Sequence, residues 1–315
     1  MKLFKELLFL LNLPGIGKAT VMKNYGRYLE NGINLEAIIE LVEKSESKIT
    51  SIDIDNARQK AELAYNEAVD NSEMSIITIF DDDYPKKLRD LKGKSPLVLY
   101  VKGNVEVLQN SNIAVVGTRK PSQWSQKVEE KLVKKIIELS DRTIVSGLAL
   151  GCDYVAHKVT IDMEKVTVAV LPSGFNAITP KTHVELAETI VKCGGCLISE
   201  YEPNQKPSNA TYVDRDAIIA ALSDATLVIE CDERSGTIHT VEAAHKMGRI
   251  LACFYCDDAN KGSYGGNYMM ANKMNAFKIP NTDSLIELLD KLNAERQLAA
   301  NEQKQLSFED LSMSR

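Results

Sequence analysis

Nowhere in its 315 residues does the chain string together the apolar run of about 20 that a membrane-spanning helix needs. It also lacks an excess of basic charge. The formal net charge is −6, which excludes a protein coated in positive charge. It does not exclude a nucleic-acid partner, because only the contacted phosphates must be neutralised and a local basic groove is sufficient. There is no Gly-x-x-x-x-Gly-Lys-Ser/Thr loop, so ATP hydrolysis has no support. No internal repeat is present. The first residues, Met1-Lys2-Leu3-Phe4-Lys5-Glu6, are amphipathic and turn acidic at once, unlike a secretory leader. The expected location is the cytoplasm, with no membrane contact.

Cysteine is present, and four of the six fall in two C-x-x-C pairs, Cys193/Cys196 and Cys253/Cys256. A four-thiolate zinc site is one reading of that spacing. The other is small buried residues: Leu251 to Cys256 reads as a strand, and an odd spacing along a strand sends two thiols to opposite faces. The second reading is preferred, so no metal and no cofactor are expected, and a reducing compartment disfavours disulfides.

Residues 1–72 are helical by pattern. Leu3, Leu7, Leu8, Leu10 and Leu11 make one apolar stripe, and further helical stretches follow at 20–29, 35–43 and 54–69. The break between the first two, Leu13-Pro14-Gly15-Ile16-Gly17-Lys18, resembles the turn of a helix-hairpin-helix motif, in which a helix N-terminus approaches a phosphate without reading sequence. Gly15, Gly17 and Lys18 are therefore a possible second DNA contact, with Lys23 beside them; the alternative is a plain turn between packed helices.

From residue 73 to 292 the pattern changes. Two strands, 76–79 and 97–100, flank a short helix near 84–89. Then strands at 112–117, 143–147, 166–171, 196–200, 226–230, 250–255 and 276–279 alternate with helices near 125–139, 152–161, 183–193, 214–222 and 236–247. Such alternation predicts an α/β fold, a Rossmann-like parallel sheet covered by helices on both faces. Residues 293–315 turn polar and are expected to form a disordered tail.

Three strands end in glycine beside a polar group: Gly117-Thr118-Arg119-Lys120, Ser146-Gly147, and Ser235-Gly236-Thr237. At the carboxyl edge of a parallel sheet such turns aim N–H groups outward, where a phosphate can sit. Arg119 offers a planar fork, Lys120 a point charge, and Arg215 a third cation at the start of a helix. Each has a plainer reading: the glycines as tight turns, Arg119 as a partner of Glu200 or Asp153, His157 as a hydrogen-bonded neighbour of a loop rather than a proton carrier. Leu285, Leu288, Leu289 and Leu292 could pack within the chain or across an interface.

Several ordered blocks then identify a resemblance. They include Tyr84-Pro85 with Leu88; Pro96 through Asn104; Ile113-Ala114-Val115-Val116-Gly117-Thr118-Arg119-Lys120-Pro121-Ser122; Ser146-Gly147-Leu148-Ala149-Leu150-Gly151-Cys152-Asp153 with His157; Val168 to Leu171 with Gly174; Leu197-Ile198-Ser199-Glu200-Tyr201; Ile218 to Ser223; and Ser235-Gly236-Thr237 with Thr240 and Ala243. The chain resembles the DprA/Smf DNA-processing (DNA-protecting) proteins through most of residues 76 to 255. That resemblance implies a small helical N-terminal domain before an extended Rossmann domain, single-stranded DNA binding that protects incoming DNA, help in loading RecA recombinase during natural transformation and recombination, and a homodimer. Three places depart from the family pattern. Arg215-Asp216-Ala217 stands where the family carries Arg-Asn-Arg, Trp124-Ser125 where it carries Tyr-Gly, and Phe254-Tyr255-Cys256 where it carries Val-Pro-Gly.

A nucleotide phosphoribohydrolase-like or nucleotide-binding protein, in a mobile-element or defence setting, is the competing class. Its Gly-Thr-x-x-Glu glutamate is replaced here by Thr240, with Glu242 displaced about 200° around a helix, so no catalytic residue is assigned. Finally, Gln305-Leu306-Ser307-Phe308 looks like a short sliding-clamp peptide; a chance match in a polar tail is the preferred reading.

Overall fold

Runs of Val, Ile, Leu and Ala without a polar side must be covered on both faces, and the strands they form are. In a computed structural model describing residues 3–31, 49–69, 73–256 and 262–313, the strands are β1 (Met74–Thr78), β2 (Val98–Gly103), β3 (Asn112–Val116), β4 (Thr143–Ser146), β5 (Thr167–Val170), β6 (Cys196–Ser199), β7 (Ala225–Val228), β8 (Ile250–Phe254) and β9 (Phe277–Ile279). They form one sheet in the order β1-β2-β6-β5-β4-β3-β7-β8-β9. From β6 to β9 every pairing is parallel. β1 and β2 extend that sheet antiparallel, which the alternation argument did not foresee. They are joined through a 3-10 segment, Lys86–Lys94, and not through the long helical crossover that parallel neighbours require.

The helices are α1 (Phe4–Leu11), α2 (Lys18–Lys23), α3 (Tyr25–Asn31), α4 (Ser51–Val69), α5 (Gln123–Leu139), α6 (Cys152–Asp162), α7 (Val184–Lys192), α8 (Asn209–Leu222), α9 (Thr237–Lys246), α10 (Gly265–Lys273) and α11 (Thr282–Met313). The helix expected at 35–43 lies outside the described residues. α8 begins five residues earlier than the sequence suggests because Ser208 and Thr211 form a capping box.

Side-chain alternation splits the core into two layers. Ala114 and Val116 face one apolar cluster with Ile218, Ile219 and Leu222 of α8 and Val241 of α9. Ile113 and Val115 face the other, with Val133 and Ile136 of α5, Val155 of α6, and Leu285, Leu288, Leu289 and Leu292 of α11. Those four leucines are at most 3% exposed, so they pack within the chain and carry no interface of their own. Phe4, Leu7, Leu10 and Tyr28 join the first cluster together with Leu99 and Tyr100 of β2, and the Phe4 and Tyr100 rings meet edge-on at 6.2 Å. The helical N-terminal residues thus share their core with the sheet edge.

α11 corrects one expectation. It runs to Met313, through residues 293–313 of the stretch read as a disordered tail. The polar composition was the misleading sign: Ala, Glu, Gln, Lys and Leu are good helix formers even without a buried face. The side chains of Gln305–Phe308 lie outside the described residues. Among the described residues no helix is long and apolar enough to cross a membrane.

Candidate functional site

The chain lays down β3 to β6 in one direction, then returns to lay β7 to β9 on the other side of β3. The strand order reverses between β3 and β7, and in an open α/β sheet the crevice beyond the carboxyl ends at such a point is where ligands bind. A cleft of about 710 Å³ opens there. Its walls include Gly117, Thr118, Arg119 and Lys120 after β3, Ala149 and Asp153 after β4, and Ser235, Gly236 and Thr237 after β7. Two helices complete it. Asn209, Tyr212, Val213, Asp216 and Ile219 come from α8 at steps of three and four, one helical face, and His239 and Thr240 come from the start of α9.

The glycine corners therefore do converge on one rim, but they are built differently from the expected row of phosphate-cradling N–H groups. At the first corner the Thr118 N–H donates to the Glu230 carbonyl at 2.7 Å, and the Thr237 hydroxyl donates to the Gly117 carbonyl at 2.9 Å. At the second, Asp153 Oδ2 accepts from the N–H groups of Gly147 and Ala149, each at 3.2 Å. The Ser146 hydroxyl donates to the Val115 carbonyl at 2.7 Å, inside the sheet. Thr118 and Gly147 are thus corrected as N–H donors to a phosphate, because those hydrogens already close the turns, and Ser146, expected at the same corner, has its hydroxyl turned into the sheet. Gly147 is needed for close approach, since a Cβ there would overlap the Arg215 guanidinium. At the third corner the Ser235 N–H donates to the Asp232 carbonyl at 3.0 Å and the Thr237 N–H to Ser235 Oγ at 3.2 Å, but a Cβ on Gly236 would meet nothing within 4 Å, so the glycine itself faces open cleft.

The cations divide in the same way. Arg119 and Lys120 are exposed at the mouth, and Arg119 lies over the Tyr212 ring at 5.1 Å. Arg215 corrects the reading of it as a third phosphate cation. It is 4% exposed, donates to the carbonyls of Gly147 and Val170, and sets its Nε 3.0 Å from Asp216 Oδ1. Its charge serves the sheet ends of β4 and β5. Lys18, the cation of the hairpin turn, pairs with Glu200 just after β6. Gly15, Gly17 and Lys18 line no part of this cleft; β6 stands three strand spacings, about 14 Å, from β3.

Beneath the mouth the cleft floor is acidic. Burial pushes the Asp216 carboxyl up to about 6, against the pull of Arg215 and with the push of Asp153. His157 is fully buried, with Nδ1 2.9 Å from the Thr167 hydroxyl, and burial drives its pKa down to about 3. It belongs to the core under the cleft. Glu242 is exposed beside Lys246, outside the cleft walls, while Thr240 lies within them. The C-x-x-C pairs sit on β6 and β8 with four strands between them, about 24 Å apart, too far for one metal. The sequence reading missed Tyr212 and His239 as cleft residues. The period of α8 reaches Tyr212 once the Ser208 cap is recognised; nothing in the sequence singles out His239.

Likeness to known proteins agrees with this architecture. A family model described as DNA recombination-mediator protein A matches residues 75–290, more than half of the chain. Protein Smf of Escherichia coli (strain K12) is 34% identical over 194 residues, covering 62% of this chain and 51% of that protein. DNA processing protein DprA of Bacillus subtilis (strain 168) is 30% identical over 223 residues, covering 70% and 73%. The chain spans about half the length of several such relatives. Among solved structures, DprA of Streptococcus pneumoniae superposes with a TM-score of 0.77 at 24% identity, covering 90% of this chain and 96% of that one, a likeness of fold. DNA processing protein A of Helicobacter pylori, studied for its single-stranded DNA binding mode, gives 0.62 at 25% identity, covering 70% and 98%. By the residues matched and by sequence identity, the chain belongs to the DNA recombination-mediator protein A family, the DprA/Smf proteins.

Proposed function

We propose that this chain binds single-stranded DNA along the carboxyl edge of its sheet and acts as a recombination mediator that hands the strand to a RecA-type recombinase. The observation that carries the reading is the pair of exposed cations, Arg119 and Lys120, at the mouth of the switch-point cleft, with the open helix start at Gly236 facing them. Two neighbouring cations on a net-acidic chain make a local groove for a polyanion. The hydroxyls of Ser235 and Thr237 stand on the opposite wall, where Ser235 donates to Thr237 and Thr237 to the Gly117 carbonyl, so each has to turn from its present acceptor to meet a phosphate. A base can stack with little sequence preference on the half-exposed Trp124, which lies outside the cleft walls, or on Tyr212 in exchange for the Arg119 guanidinium that covers its ring. Studies of the Helicobacter pylori relative describe single-stranded DNA binding for that protein. A RecA-type partner and self-association, expected from the family resemblance, belong to the same proposal.

The test is a gel-shift series of single- against double-stranded oligonucleotides at two salt concentrations. Preferential, salt-sensitive retention of the single strand is expected. Equal retention of both, or none, rejects the reading. A mononucleotide is the second reading, favoured by the volume and position of the cleft, which suit a small ligand as well as a strand. Competition of a bound oligonucleotide by nucleoside monophosphates, with assay for released base, separates the two.

A further inference from the structure

The cleft has a polarity from mouth to floor. Arg119 and Lys120 carry positive charge at the exposed end. At the inner end the wall carries Asp153 and Asp216 around a single buried cation, Arg215, whose hydrogen bonds go to two backbone carbonyls. Asp153 is satisfied by two N–H groups of its own loop. Asp216 is not. Its Oδ1 lies 3.0 Å from Arg215 Nε, its side chain is 14% exposed and lines the cleft, and its Oδ2 accepts no hydrogen bond among the described residues. A phosphate is repelled from such a floor. A hydrogen-bond donor on an uncharged group is attracted to it, because a carboxylate oxygen is an acceptor only.

A nucleotide satisfies both ends only if it enters base first, leaving its phosphate at the mouth. Resting on the single-stranded DNA reading above, we propose that Asp216 reads the inserted base, accepting a hydrogen bond from the exocyclic amino group of cytosine, adenine or guanine and disfavouring thymine. Cytosine and thymine isolate the effect. They are the same size, and at position 4 one carries an amino donor where the other carries a carbonyl oxygen. A carbonyl facing a carboxylate is two acceptors without a proton between them, so thymine loses the bond and meets repulsion. His239, on the opposing start of α9, and Tyr212, one turn before Asp216, bound the space the base would occupy.

The experiment measures fluorescence anisotropy of oligo-dC and oligo-dT of equal length, at about pH 8, where carboxylates are ionised and cytosine is neutral. The wild-type chain should hold oligo-dC about fivefold tighter or more, the discrimination expected of one good base contact. In Asp216→Asn the amide offers both a donor and an acceptor in the same shape, so the ratio should fall towards one, chiefly by a gain for oligo-dT. Equal affinities in the wild type overturn the proposal without touching DNA binding, and so does a ratio unchanged in Asp216→Asn. Binding of neither oligonucleotide overturns this proposal and the DNA-binding reading together. The wild-type ratio is read without any variant, so a poorly folded Asp216→Asn cannot shield the idea.

Discussion

The mouth and the floor of the cleft hold charges of opposite fates. Arg119 and Lys120 at the mouth are exposed and, among the described residues, pair with no carboxylate. Arg215, Asp153 and Asp216 at the floor, a few ångströms deeper, are fastened to backbone groups and to one another. A cation buried in the chain must be compensated there, since leaving it unpaired costs several kcal/mol; one at the surface keeps its charge for a ligand. The difference decides which arginine in this cleft can meet a phosphate, and the Lys18–Glu200 pair at the hairpin turn falls on the compensated side too.

The largest effect should come from the mouth. Arg119→Ala with Lys120→Ala removes two phosphate cations, each worth about a tenfold loss if it makes a charge-assisted bond, and should lower the slope of log affinity against log salt by about two. Lys18→Ala should leave both affinity and slope nearly as they are. Anisotropy titrations across salt would break the comparison if Lys18→Ala proved the more damaging.

Much of this was legible beforehand. The strands from β3 to β9 follow the apolar runs within a residue or two, because a buried parallel strand has to be apolar throughout. The convergence of Gly117, Gly147 and Gly236 on one edge also followed from strand-then-glycine order. What could not be read was engagement. Arg119 and Arg215 are the same residue type in equally glycine-rich company, and only the packed sheet reveals that Arg215 reaches the Gly147 and Val170 carbonyls, 68 and 45 residues earlier in the chain. The same holds for Ser146, whose hydroxyl turns inward to Val115. The acidic floor was half visible: Asp216 stood out as a departure beside Arg215, but its place on a helix face with Tyr212 depended on a cap six residues upstream of the expected start.

A smaller effect separates two glycines. Gly147→Ala places a methyl against the Arg215 guanidinium and 2.8 Å from Asp153 Oδ2, groups that are held by several bonds and cannot step aside. Overpacking of this kind costs about 1–3 kcal/mol, seen as a lower melting temperature. Gly236→Ala meets no atom and keeps helical backbone angles, so its melting temperature should hold while the new methyl intrudes on the cleft and weakens DNA binding. Should Gly236→Ala melt early and bind normally, the contrast between open corner and closed corner would be wrong.

The smallest expected change lies directly beneath the floor. Glu129 of α5 is fully buried, and among the described residues the weak S–H donor of Cys152 is the polar group set against its carboxyl. Burial raises its pKa well above the usual glutamate value, and Asp153 adds to the rise. Between the unfolded and folded pKa values the folded chain binds a proton that the unfolded chain does not, so this group makes stability fall as pH increases. Glu129→Gln keeps the shape and removes the titration. It should raise stability near neutral pH by about 1 kcal/mol, with the advantage over wild type small at pH values near the usual glutamate pKa and widening above it. Urea denaturation at a series of pH values reads the gap directly. A gap that narrows with rising pH would mean that Glu129 is ionised and paired in the fold, and that the charges under the floor are arranged to hold an anion rather than to keep one neutral.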